Sequence, residues 1–354
     1  GGGATLDVDE VFSTQVYETA SSVAVNNGID LSGEGGLVWI KTRDIGDNHF
    51  LNDTARGTGK ALSSDLASAE STTAYKTVSS FNSNGYTAQG HGYASSRALV
   101  SWTFRKAPKF FDVVTYSGTS NSATDYQDIS HNLGAIPGMV IVKRLNSSEN
   151  WAVWHRSIDS SGDMLQLNIR DSKTGSGGRF SANNQSNMTA TTFRVYGDNQ
   201  TGANGGTYVA YLFAHNNSDG EFGPDSDQDI IKCGTYNGTN AAGNEINLGF
   251  EPQWLLIKAT TKTDSWFMFD NMRGLAVGGT DNYLEANDSA AEAAYTGSGF
   301  FDLTATGFKS ASGELNQSSQ SYIYMAIRRG PLAVPEDATK VFAISQQLNT
   351  SGST

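Results

Sequence analysis

The residues able to do chemistry are sparse, and their spacing is more informative than their number. Histidines stand at 49, 91, 131, 155 and 215, with no pair at the helical spacing of a zinc site. There is one cysteine, Cys233, which excludes an internal disulfide framework and any Cys-rich metal site. No nucleophile elbow and no phosphate-binding loop occurs. Asp225, Asp227 and Asp229 alternate as in a calcium loop. The sixth position is Ile230 where such a loop needs glycine, and the twelfth is Tyr236 where it needs glutamate. A solvated linker is the expectation there, and no cofactor or metal is expected elsewhere. With 36 Asp and Glu, carboxylate pairs for glycoside cleavage are too plentiful to choose among.

A lysine and an arginine recur together: Lys41 with Arg56, Lys143 with Arg156, and Lys258 with Arg273. An ammonium and a guanidinium could share an anion. A single active site has no reason to appear three times, however. The expectation is a structural pairing with the nearby Asp53 and Asp270. Tryptophans 39, 151, 154, 254 and 266 could stack on sugars, but all sit at repeat landmarks in apolar segments and are expected in the core. Loop aromatics Tyr93, Tyr126, Tyr196 and Tyr295 are the better candidates for a sugar-contacting surface.

The elements that must position these residues repeat in one order. An opening strand contains Val16-Tyr17, Val114 to Gly118, or Gly234 to Gly238. An apolar strand ending in lysine follows: Leu37 to Lys41, Met139 to Lys143, Trp254 to Lys258. The arginine-bearing segment comes next, then a turn with an aromatic at Gly85-Tyr86, Thr192-Phe193 or Gly307-Phe308. An aromatic strand closes each unit: Leu99 to Arg105, Tyr208 to Phe213, Tyr322 to Arg328. Such periodicity marks tandem modules. The expected boundaries are 1–107, 108–220 and 221–342, with a polar tail at 343–354. The lysine and closing strands are nearly continuous apolar runs, as expected of strands buried on both faces, while the opening strands alternate more and belong at an edge or on an outer sheet. Only Ala55 to Ala74 and Ala286 to Tyr295 look helical, and both are short enough to be loops. The fold class expected is all-β, with three diverged β-sandwich modules of jelly-roll type.

Composition agrees with several small β modules. Of 354 residues 38% are hydrophobic and 17% charged, with 39 glycines and 37 aromatics, too many aromatics for a disordered chain. A net charge of -12 with no basic run argues against nucleic acid as partner. No stretch approaches the length of a membrane helix.

Phrases such as Gly35 to Lys41, Phe104 to Tyr116, Tyr208 to His215, Gly249 to Lys258 and Tyr322 to Arg329 resemble a family of repeat-bearing virion proteins. That family occurs in tailed bacteriophages of marine bacteria, cyanophages among them. The likeness runs from about Asp9 to Phe342. It implies a structural or tail-fibre-like role and assigns no catalytic residue. The expectation is a non-enzymatic virion protein on the tail or another external appendage. Its expected partners are other virion proteins, copies of itself (a trimer), and host envelope glycans. A capsid decoration protein whose modules mimic a trimer is one alternative; a host-glycan depolymerase is another. Gly1 to Gly3 and the stretch Gln347 to Thr354 read as cut edges of a longer chain.

Overall fold

The structure is a computed structural model that describes residues 6–72, 77–89, 96–158, 163–175, 179–180, 187–275, 278–296, 299–311 and 313–330. The first third of the chain carries β1 (Phe12–Glu18), β2 (Ser22–Asn26), β3 (Gly36–Thr42), β4 (Phe50–Asp53), β5 (Thr77–Asn82), β6 (Gly85–Gln89) and β7 (Ala98–Arg105). The second carries β8 (Phe111–Ser117), β9 (Tyr126–Ser130), β10 (Met139–Arg144), β11 (Ala152–His155), β12 (Asp163–Gln166), β13 (Thr174–Gly175), β14 (Thr192–Tyr196) and β15 (Thr207–Phe213). The third carries β16 (Ile231–Asn237), β17 (Asn244–Asn247), β18 (Pro252–Ala259), β19 (Trp266–Asp270), β20 (Asp281–Glu285), β21 (Ala293–Tyr295), β22 (Phe301–Thr304), β23 (Gly307–Ser310) and β24 (Ser321–Arg328).

One strand order recurs. The large sheets run β1-β7-β3-β4, then β8-β15-β10-β11-β12-β13, then β16-β24-β18-β19-β20-β21, all antiparallel. In each, the opening strand is an edge and pairs with the closing strand, which pairs with the lysine strand. Small sheets, β2-β6-β5, β9-β14 and β17-β23-β22, cover one face of the large ones.

The two-residue period of a strand explains why the lysine strands are apolar throughout. Val38 and Ile40 face the small sheet of their own third, packing with Val25, Val78 and Tyr86. Their neighbours Leu37 and Trp39 face the other way, into a core shared by all three thirds of the chain. Trp254 and Leu256 enter this same shared core, while Leu255 and Ile257 face inward against Ile246 and Phe308. Phe104 of β7 meets Phe213 of β15 at 5.5 Å and Trp254 of β18 at 5.8 Å between ring centroids. The five tryptophans at the landmarks are all buried.

Of the two readings open for Ala55 to Ala74 and Ala286 to Tyr295, helix or loop, the described residues are not helical. The described part of 55–74 is turns with bridge residues Ala61 and Leu62, and 286–295 ends in β21. Short polar residues break the run in both places, and backbone groups of these segments, among them Ala67 O, Glu70 N, Ser289 O and Glu292 N, bond to other thirds of the chain.

Candidate functional site

The recurrent charged residues resolve into junctions between the copies. Asp53 and Arg56 form a buried ion pair at 2.6 Å, and Arg56 also reaches Glu70 at 3.2 Å and donates to Leu51 O at 2.8 Å. Asp270, Arg273, Glu292 and Met268 O reproduce this set at 2.6, 3.1 and 3.0 Å. Each aspartate accepts a further bond from the closing strand of another copy. Tyr211 Oη donates to Asp53 Oδ2 at 2.8 Å, and Trp102 Nε1 donates to Asp270 Oδ2 at 2.9 Å.

The second copy departs from the expected pattern. Register aligns Leu37↔Asp53 and Trp254↔Asp270 with Met139↔His155, so His155 holds the aspartate position. Three residues further on stands Ile158, buried, where the other copies have Arg56 and Arg273. Arg156, matched by residue type in the sequence, lies two places away and lines a surface cleft with Lys109, Ile136, His215 and Asp219. The closing-strand residue in register with Tyr211 and Trp102 is Met325, which has no donor to offer, and His155 Nε2 donates instead to Tyr324 O at 3.2 Å. Removing one member of a buried charged set leaves an uncompensated charge, so such sets are exchanged whole.

The lysines do not join the arginine sets. Lys41, Lys143 and Lys258 are buried, and their Nζ atoms donate to Thr42 O, Arg144 O and Ala259 O at 2.6–2.7 Å. Lys258 also donates to Arg170 O of the second copy at 3.2 Å. Burial pulls Lys143 and Lys258 down to about 8.

Backbone bonds close these junctions into a ring. Glu70 N donates to Leu145 O at 2.9 Å, Lys173 N to Thr260 O at 2.9 Å, and Glu292 N to Arg43 O at 2.7 Å. In return Glu149 N donates to Ala67 O, Asp264 N to Arg170 O and Asp47 N to Ser289 O at 2.8–2.9 Å. Ring N–H groups repeat the cycle: Trp151 to Ser63 O, Trp266 to Gln166 O and His49 Nε2 to Glu285 O, at 2.9–3.0 Å. Thus the loop after the arginine segment of the first copy docks on the second, that of the second on the third, and that of the third on the first. His49 Nδ1 accepts from Trp39 Nε1 at 2.9 Å, which requires a neutral ring. Burial holds both His49 and His155 at about 3.

The cleft at Lys109 and Arg156 has a volume of about 350 Å³, and Lys109 is tied to Glu221 at 2.6 Å and to Asp219 O. Asp229 caps Ser218 N and Gly220 N and pairs with Lys232 at 3.4 Å, while Asp225 and Asp227 are exposed to solvent. Among the described residues no three His, Cys, Asp or Glu gather as metal ligands.

Of the aromatic candidates, Tyr93 lies outside the described residues. Tyr295 stacks on Phe300 at 4.2 Å. Tyr126 and Tyr196 come together as a cross-strand pair of β9 and β14, with centroids 5.9 Å apart. Next to them, Arg194 forks onto Asp128 at 2.7 and 2.8 Å and lies 3.7 Å over the Tyr126 ring. Sequence reasoning found the tyrosines but missed this arginine and aspartate. The alternation of β9 and β14, with Ile129, Phe193 and Val195 buried, is the signal that puts all four outward.

A family model described as "Domain of unknown function (DUF7483)" matches residues 7–331. No curated protein matches. A solved chain titled "Crystal Structure of the STIV MCP" is similar at 8% identity over 62% of this chain and 95% of that one, with a TM-score of 0.19. A likeness that faint carries no argument about this protein.

Proposed function

The chain belongs to the DUF7483 family, and we propose that it is a non-enzymatic structural protein of a tailed-phage virion, on the tail fibre or another external appendage, that contacts the host envelope. The observation that carries this is the closed ring: the charged residues that recur in the chain are spent on joining copies. Catalytic groups are ordinarily held in a cleft with access to substrate. Here Asp53, Arg56, Asp270 and Arg273 are buried against neighbouring copies. The likeness of the strand phrases to virion proteins of marine phages supports the same role.

Immunogold labelling of intact particles with antibody against this chain tests the proposal. Gold at the tail or fibre tips is the expected result. Absence of label from particles overturns it.

The ring itself favours a second reading, a capsid decoration protein. One chain whose three copies close on each other offers similar faces around an approximate threefold axis, as a trimer would. Gold spread over the capsid would select this role over the tail.

A further inference from the structure

We propose that Tyr126, Tyr196, Asp128 and Arg194 form a binding site for a neutral pyranose. This rests on, and deepens, the proposed contact with the host envelope. Tyr126 is 51% exposed, the most exposed tyrosine among the described residues. Arg194 covers one face of its ring at 3.7 Å. About half of Tyr126 is left accessible to solvent. The negative face of an aromatic ring attracts the polarised C–H groups on the apolar side of a pyranose.

The polar part of the site is already in place. The two-pronged bond from Arg194 to Asp128 fixes the carboxylate, and Arg194 holds its pKa below the usual carboxylate range. A carboxylate so held has further lone pairs for sugar hydroxyls. The ordering cost of these side chains is met before any ligand arrives. Because Asp128 and Arg194 cancel in charge, the site suits a neutral sugar better than an acidic one.

Comparison with the other copies separates this cluster from the repeat. In the third copy Glu245 opposes Lys309 at the position of Asp128 and Arg194, so a charged pair alone belongs to the shared plan. The positions of Tyr126 and Tyr196 are Gly243 and Ala311 there. In the first copy they are Ser22 and Gln89, with Ala24 opposite Thr87 between them. Aromatic residues are thus added in the second copy only. Packing needs common to all three copies do not explain them.

Saturation-transfer NMR on the whole chain tests the site with methyl α-D-glucopyranoside, methyl α-D-galactopyranoside and N-acetyl-D-glucosamine, then with polysaccharide from a susceptible host. Transfer to the ring C–H protons of at least one monosaccharide is expected. Binding should weaken about tenfold or more in Tyr126→Ala, which corresponds to about 1.4 kcal/mol, and persist in Tyr295→Ala. Transfer from the polysaccharide alone would still support the site if Tyr126→Ala removes it. No transfer from any of these probes, or transfer that survives Tyr126→Ala, overturns the proposal. Particle labelling is independent of this result, so loss of the sugar site and loss of the virion role are told apart.

Discussion

The hydroxyl of Tyr211, in the second copy, donates to Asp53 of the first across a buried junction at 2.8 Å. That carboxylate also binds Arg56, so a hydroxyl from one copy completes an ion pair in another. Tyr211→Phe leaves the ring in place and removes one donor from a buried charge. A loss of about 1–3 kcal/mol in unfolding free energy is expected, measured by chemical denaturation. No change would mean that the junction does not depend on this bond.

The second copy has His155 and Ile158 in place of the aspartate and arginine of this site. Arg56→Ile alone leaves the buried Asp53 without its cation, while Glu70 keeps Lys60, with an expected cost of about 3–5 kcal/mol. Adding Asp53→His, Tyr211→Met and the paired change Glu70→Lys with Lys60→Asp reproduces the set His155, Ile158, Met325 and the Lys173–Asp163 ion pair. The combined variant should recover most of the loss. If the costs simply add, the set is not exchanged as a unit.

Acidification should weaken the ring through its histidines. His49 and His155 titrate at about 3 in the folded chain, against about 6.5 unfolded. Their contribution is fully present above pH 6.5 and is lost as pH falls toward 3, at about 1.4 kcal/mol per pH unit for each. Asp65, held up at about 6 by burial, pulls the opposite way between pH 6 and 4. Imidazole nitrogen shifts therefore give the cleaner measurement. Both rings should stay neutral down to pH 5; protonation near pH 6.5 would contradict their burial at the junctions.

Alkali should do the reverse over a narrow range. Lys143 and Lys258 lose their protons near pH 8 when folded and near 10.4 when unfolded. The unfolded chain binds more protons between these values, so stability rises with pH. The comparison is best made between pH 8 and 9 in a Cys233→Ala background, because an unfolded cysteine ionises at about 8.5 and an unfolded tyrosine only at about 10. Lys143→Met should reduce the slope of unfolding free energy against pH by about half of the lysine part. An unchanged slope would remove Lys143 as its source.

Residues 1–107 expressed alone should not give a folded monomer. Trp39, Trp102 and Phe104 would expose the face that the other copies cover. Aggregation or self-association is expected in sedimentation and circular dichroism. A cooperatively folding monomer would mean that each copy is an independent domain.

The strand pattern was legible in the sequence because a strand buried on both faces leaves a continuous apolar run, as in Leu37 to Lys41. The edge position of the opening strands was legible in the alternation around Val16 and Val114. The junctions were not. Ala67, Ser289 and Arg170 take part through their carbonyl oxygens, which every residue has, so their identities carry no signal. Matching by residue type equated Arg156 with Arg56, whereas register assigns that position to Ile158. The outward cluster was half legible: the tyrosines stood out as aromatics, but Arg194 and Asp128 acquire meaning only once β9 and β14 are paired.

A trimer of separate chains dissociates on dilution, whereas the cycle from Glu70 through Lys173 to Glu292 closes within a single covalent chain. Its cohesion is independent of protein concentration, because each copy meets the next at a fixed effective concentration set by the short connections. Separate identical subunits also receive every substitution in triplicate. Here a change can enter one face and leave two untouched, as the exchange of Arg for Ile158 and the addition of Tyr126 have already done.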